Sequence, residues 1–442
     1  MSEISVPQAP RELRSLTRRA ALWTTIGQVS SQVLRLGSNL VLTRLLLPEF
    51  FGVMVIINVF VLGLELFSDV GLGPNIIRHK RGEDADFLNT AWSIQIIRGF
   101  VLWGCAWALS GLMAKTYDIP ELTTLLPVAA LTAVIGGFES TARYSLNRKI
   151  HLGRVTLLEL GQQASSITFM VVWAALDPSI WALVCGGVFG AFVRVFSSHL
   201  LLPGIPNRWR WDPDAARSLI RFGKWIFFST ALGFLANRGD RLILGAAMSQ
   251  AELGVFSVAA ILAHSPVRIA GQISMKVLLP LYSRLSDDSP ELLRKEIGRT
   301  RLRMTLLAIT GLSVIALGGE WIVSSLWPES FWDAGRMTRI LAIGSIGSVI
   351  IATLQPVLLA CGDGRAHFIS TLTRALFLLA ALAVGQHFGG VTGALIGLAA
   401  APTLHYPVLA FLVHGHKAWT PMADLPGLLA SLALAACLLA GL

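Results

Sequence analysis

VMVIINVFVLGL, residues 53–64, is apolar at every position except Asn58. A strand of a membrane β-barrel shows about ten residues alternating apolar with polar, and no such alternation exists here. Read outward to residues 51–70, the run approaches the roughly 20 residues a helix needs to cross a bilayer. LLAALAVGQHF (378–388) and GLLASLALAACLLAGL (427–442) are continuous in the same way. Of the 442 residues, 54% are hydrophobic and only 14% charged, where a soluble globular chain carries roughly 25% charge. The composition excludes an aqueous enzyme and the periodicity excludes a barrel. The expected fold class is an all-α polytopic membrane protein.

Apolar stretches bounded by turn and charge signals predict thirteen transmembrane helices, at 20–46, 51–70, 87–114, 121–142, 155–176, 179–203, 225–246, 253–280, 304–320, 335–361, 366–387, 391–413 and 423–442. Charge tests that count independently, because Lys and Arg accumulate in cytoplasmic loops. With the N-terminus inside, the inner connections hold 24 Lys and Arg and the outer ones hold Lys115 and Arg336. One helix missed or invented would scramble that segregation. The net charge of +10 therefore reads as a topology signal and contact with anionic lipid, and no nucleic-acid partner is expected. Arg11, Arg14, Arg18 and Arg19 leave no room for a cleaved signal peptide. Cys105, Cys185, Cys361 and Cys437 stand far apart in apolar runs, a pattern that implies neither disulfide framework nor metal site.

Sliding the chain on itself by 202 residues places Gly37 on Gly239, Leu40 on Leu242, and Gly52-Val53 on Gly254-Val255. The first and second spans then match the seventh and eighth in the same orientation. Two parallel six-helix lobes follow, an arrangement that puts a transport path between halves. The expected boundaries are an N-terminal lobe at 1–203, a cytoplasmic connector at 204–224, a C-terminal lobe at 225–413 and an extra helix at 414–442. Within the connector, Asp212-Pro213 can cap a short amphipathic helix carrying Ala216, Leu219 and Ile220, suited to lie on the membrane surface.

Charged groups within a span normally face a cavity or a partner. Thr24, Gln28, Ser31, Arg35, Ser38 and Asn39 fall on one face of the first span, at the helical period of 3.6. In the seventh span Asn237 and Arg241 share a face, with Asp240 on its shoulder. The repeat superposes Arg35 on Asn237 and Asn39 on Arg241, so each half offers one Arg and one Asn to a shared cavity. Arg98, and in the eighth span Arg268 and Gln272, extend that set. Guanidinium forks at such places suit a diphosphate; the alternative is structural pairing with intramembrane acids. Arg194 and Arg374 carry the same two readings. Asp240, and Glu65 with Asp69 one turn away, are candidates either for counter-ions or for coupling transport to a proton or sodium gradient. No other cofactor is expected.

Residues 42–99 carry a recognisable pattern: LLLPEFFG (45–52), SDVGLG (68–73) and FLNTAWSIQIIRG (87–99), followed in the second half by NRGDRLILG (237–245) and ELGVFSVA (252–259). The chain resembles the polysaccharide-biosynthesis oligosaccharide flippases (Wzx type) of the multidrug/oligosaccharidyl-lipid/polysaccharide exporter superfamily. That resemblance implies a V-shaped central cavity between two six-helix lobes, whose arginines hold the diphosphate of an undecaprenyl-linked oligosaccharide. It also implies a bacterial inner-membrane carrier, not an enzyme, working by alternating access as a monomer alongside polysaccharide polymerase and export machinery. A lipid II (peptidoglycan-precursor) flippase and a multidrug antiporter of the same superfamily are the alternatives. Two departures stand out: Phe50 follows Pro-Glu in place of an acid, and the chain has thirteen spans where many relatives have fourteen.

Overall fold

A computed structural model describes residues 10–68, 71–149, 152–279, 282–283 and 290–440. Among them there is no β-strand. The helices are α1 Pro10–Leu45, α2 Pro48–Phe67, α3 Leu72–Arg78, α4 Ala85–Tyr117, α5 Leu122–Gly137, α6 Ala142–Arg148, α7 Leu152–Leu176, α8 Ile180–Leu201, α9 Pro213–Ala247, α10 Gln250–Ile273, α11 Pro290–Leu326, α12 Ala334–Leu354, α13 Pro356–Ala360, α14 Gly364–His414 and α15 Pro421–Ala440. The predicted spans fall on these helices, two of them on α14, while 121–142 crosses the break between α5 and α6 and 335–361 that between α12 and α13. That helix breaks at Gly389 and Gly390, the latter at φ 56°, a left-handed conformation that glycine adopts without a Cβ penalty. The two halves of α14 fold back on each other so closely that a Cβ on Gly385 would overlap the Gly393 carbonyl.

By length and composition alone, seven described helices can cross a membrane, or eight if α5 and α6, bent by 63°, form one span. Among the remainder, α15 is apolar but shorter over Pro421–Cys437. The apolar surface turned outward, such as Leu22, Trp107, Phe192, Leu307 and Phe411, suits lipid.

The chain divides into two compact units, Met1–Leu46 with Ile57–Ala231 and Leu47–Ile56 with Leu232–Leu442. In the first, α4 packs on α5, α5 on α8, α8 on α7 and α7 on α1. Small residues permit the approach: a Cβ on Gly99 would meet the α5 backbone at Ala133 and Val134, the pattern by which membrane helices gain close van der Waals contact. In the second unit α12 is the central helix, touching α10, α11, α14 and α15. Leu47–Ile56, the start of α2, belongs to this second unit, and there Gly52 and Gly254 meet. A Cβ on either would overlap a backbone carbonyl of the other helix, at Gln250 or Pro48. These are the two glycines that the 202-residue shift superposes.

Two sequence expectations change. The connector does not form a separate surface helix: Asp212 caps it as expected, accepting from the amides of Asp214 and Ala215, but the helix continues as α9 to Ala247 because nothing between interrupts it. Its apolar face does not lie on lipid either, since Ala215, Ala216 and Leu219 are buried against Leu72, Ile76 and Phe87. Arg301, counted with the inner loop charges, is fully buried in α11. It pairs with the equally buried Asp424 at the start of α15 and donates to Thr420 Oγ1 at 3.0 Å, while Tyr406 donates to the other Asp424 oxygen at 3.0 Å. Two desolvated charges hold only if their remaining hydrogen-bonding capacity is filled, and here hydroxyls fill it. That network fastens the last helix to the second unit.

Candidate functional site

Each unit contains a polar pocket of its own. The first, about 160 Å³, is lined by Glu65, Gln95, Arg98, Glu139, Tyr144 and Arg194 among others. Its construction starts from helix ends. The last carbonyls of a helix lack intrahelical partners, and α2 and α5 both stop within this unit. Gln95 on α4, only 8% exposed, spends its amide N–H groups on the carbonyls of Gly136, Gly137 and Glu139, the bend after α5. Arg98, three residues on and so on the same face of α4, donates to Ser68 Oγ at 2.8 Å and to the Glu65 carbonyl. Thr230 covers the next carbonyl of α2, that of Leu66. Glu139 lies between two guanidiniums, 3.3 Å from Arg143 and 3.7 Å from Arg194, and Arg143 reaches on to Glu159 at 2.6 Å. Two carboxylates face two guanidiniums in the lining, so the first pocket is balanced.

The second pocket, about 370 Å³, is lined by Asn237 and Asp240 of α9, His264 and Arg268 of α10, Ser345 and Ser348 of α12, and Arg374 of α14. Arg374 donates to Asn237 Oδ1 at 2.8 Å, and the Asn237 amide nitrogen donates to the Gly233 carbonyl at 2.7 Å. Arg268 lies 3.4 Å from both the Ile261 carbonyl and Ser265 Oγ, a turn of α10 where Pro266 cannot donate. Asp240 is 6% exposed, and its Oδ1 has no hydrogen-bond partner among the described residues. Two guanidiniums face a single carboxylate in this lining.

The expected set of residues is thus divided. Glu65 and Arg98 come together in the first pocket, and Asn237, Asp240 and Arg268 in the second. Gln28, Arg35, Asn39, Arg241 and Gln272 line neither; Gln28 and Arg35 are exposed on α1 while Asn39 is buried. Asp69 lies outside the described residues. The polar face of the first span is not wholly a wet surface, because Ser31 donates to Gln163 Oε1 of α7 at 2.6 Å and accepts back through its carbonyl. Sequence reasoning named Arg194 and Arg374 without selecting them and missed Gln95, Ser345 and Ser348. The two serines stand three residues apart in GSIGS (344–348), a spacing that reads equally as small-residue packing.

The family model described as "Polysaccharide biosynthesis protein" matches residues 41–334. The chain belongs to that family. WzxC of Escherichia coli, named a lipopolysaccharide biosynthesis protein, is 22% identical over 395 residues, 87% of this chain and 78% of its own. ExoT of Rhizobium meliloti, named a succinoglycan biosynthesis transport protein, is 21% identical over 394 residues, 87% of this chain and 77% of its own. Among solved structures, lipid II flippase MurJ in an inward closed conformation superposes with a TM-score of 0.73 at 13% identity, covering 95% of this chain and 92% of that one. An inward-facing multidrug transporter of the MATE family superposes at 0.60 and 14% identity, covering 94% and 98%. The fold is that of these two transporters, and the chain is a polysaccharide biosynthesis family member with several helices long and apolar enough to cross a membrane.

Proposed function

We propose that this protein is a flippase that moves polyprenyl-diphosphate-linked oligosaccharide repeat units, with undecaprenol as the lipid, from the inner to the outer leaflet of a bacterial inner membrane by alternating access. The observation that carries the reading is the presence of two guanidiniums, Arg268 and Arg374, in the lining of the second pocket, the latter bonded to Asn237. A planar guanidinium makes paired, charge-assisted bonds to phosphate oxygens, which a lysine ammonium cannot reproduce. The cationic drugs of a multidrug antiporter would meet repulsion there. Lipid II is the second reading, favoured by the likeness to MurJ, since it too presents a lipid diphosphate. The basic asymmetry of the loops supports a cytoplasmic N-terminus. Proton or sodium coupling is assigned to Asp240, and Glu65 and Asp69, the other two candidates, are read as counter-ions.

The test is leaflet translocation by purified protein in liposomes, with defined lipid-diphosphate oligosaccharides, with lipid II, and with and without ion gradients. Arg35 and Arg241 enter as variants: lysine keeps charge and loses the fork, so flipping falls in part, and alanine lowers it much further. Arg35→Ala and Arg241→Ala proteins that insert normally and flip at the wild-type rate would leave those two arginines structural. Translocation of lipid II in preference to the other substrates would hand the function to the second reading.

A further inference from the structure

Residues 205–212 form an extended strap that joins the end of α8 to α9 and lies along the start of α4. Its backbone is held at every second amide. The N–H of Arg208 donates to Asn89 Oδ1 at 2.8 Å, that of Arg210 to Ser93 Oγ at 3.1 Å, and that of Asp212 to Thr90 Oγ1 at 3.0 Å. Asn207 exchanges bonds with Thr141, and salt bridges of 2.9 Å from Arg210 to Asp86 and 2.8 Å from Arg81 to Asp212 close the strap from the side. Arg81 holds the Asp212 carboxyl below the usual carboxylate range, so this tie is charged at neutral pH. The residues between the held amides are Trp209 and Trp211, 62% and 51% exposed. Two indoles on a backbone fixed this firmly are displayed, not loose.

The depth of the strap follows from the helix it clasps. With 33 residues, α4 is about 50 Å long at 1.5 Å per residue, against about 30 Å of hydrocarbon and about 40–45 Å of bilayer including head groups. Both ends of α4 therefore reach the polar layers, and the other end carries Lys115, Tyr117 and Asp118. All the strap's partners on α4, from Asp86 to Ser93, sit in its first nine residues. Tryptophan is favoured at this level, where an indole buries its ring and keeps its N–H wet. Arg210 is spent on Asp86, while Arg208 beside Trp209 is exposed.

We propose that the strap is an interfacial anchor: Trp209 and Trp211 insert into the head-group layer beside α4, with Arg208 selecting anionic phospholipid. The occupant of this face is lipid, whichever substrate the protein carries. The anchor sits directly before α9, the helix through which the chain passes from the first unit to the second.

The test places a cysteine at Trp211 in full-length protein whose four native cysteines are serine. An environment-sensitive fluorophore on it is read in vesicles of phosphatidylcholine, with and without phosphatidylglycerol. Trp211 is exposed, so the change leaves the packing intact. The expected result is quenching by lipid spin-labelled near the head group, and a several-fold drop in aqueous iodide quenching relative to detergent-unfolded protein. The lipid quenching should strengthen with phosphatidylglycerol, and Arg208→Ala should remove that increase. A probe open to iodide and untouched by labelled lipid in every vesicle would overturn the proposal, as would a probe in native membranes shielded from both, which would mean a protein covers it. An equal response with and without phosphatidylglycerol would overturn the role of Arg208.

Discussion

The two pockets are built from similar residue types and bond them differently. In the first, Gln95 and Arg98 are consumed by carbonyls at the ends of α5 and α2, and Glu139 is consumed by Arg143 and Arg194. In the second, one carboxylate faces two guanidiniums, and an oxygen of that carboxylate, on Asp240, has no hydrogen-bond partner among the described residues. An arginine inside a membrane is thus not informative by its position along a span. What matters is whether a helix ends near it, because an ending helix presents carbonyls that lipid cannot satisfy.

The largest effect expected of any change lies outside both pockets and marks the limit of a fully spent charge. Arg301→Met strands the buried Asp424 and should cost about 3–5 kcal/mol, read as a fall in melting temperature and proteolytic release of α15. Arg301→Met combined with Asp424→Leu should recover most of that loss, since removing both charges avoids an unpaired one. If the single change is silent, buried pairing is not what holds α15.

Gln95→Leu comes next and tests the claim that the first pocket is structural. Three carbonyls lose their donor, at roughly 1 kcal/mol of net stability each. Melting should fall accordingly, while flipping per folded molecule stays near wild type. A variant that melts normally but stops flipping would make the first pocket functional and erase the contrast with the second.

Much of this molecule was legible in its sequence, and the parts that were not share a cause. The all-helical fold and the positions of the apolar helices follow from signals local in the chain or periodic along it. The spending of Gln95 depends on a 63° bend at residues 138–141 that no proline announces, and that of Arg98 on where α2 ends. Arg301 sat among basic residues resembling a cytoplasmic loop, and its partner lies 123 residues further on. Ser31 looked like one more member of a polar stripe until α7 supplied Gln163. Helix periodicity tells which face a side chain is on, and only packing tells what that face meets.

In the second pocket the comparison predicts the opposite pattern to Gln95→Leu. Arg374→Ala should leave melting nearly unchanged, since it gives up one bond to an exposed Asn237. It should weaken binding of a lipid diphosphate by about 1.5 kcal/mol, roughly tenfold, the low end for a charged hydrogen bond. Arg374→Lys should recover part of that. Equal loss of melting temperature and of binding would place Arg374 with the spent arginines of the first pocket.

The smallest effect separates the two acids, one in each pocket. Glu65 stands among paired groups, and Asp240 shares its pocket with two guanidiniums and has an oxygen without a hydrogen-bond partner among the described residues, so their amide variants should diverge. Glu65→Gln should leave the response to an imposed proton or sodium gradient intact, with only a modest change in melting. Asp240→Asn should flatten that response while the lipid diphosphate still binds, because the change removes a site for a proton or cation without removing either guanidinium. Comparing flipping with and without a gradient is a ratio within one preparation, so it is insensitive to how much protein inserts. Should Asp240→Asn keep the wild-type ratio and melt earlier, Asp240 is a counter-ion, and the second pocket binds anions without coupling them to an ion.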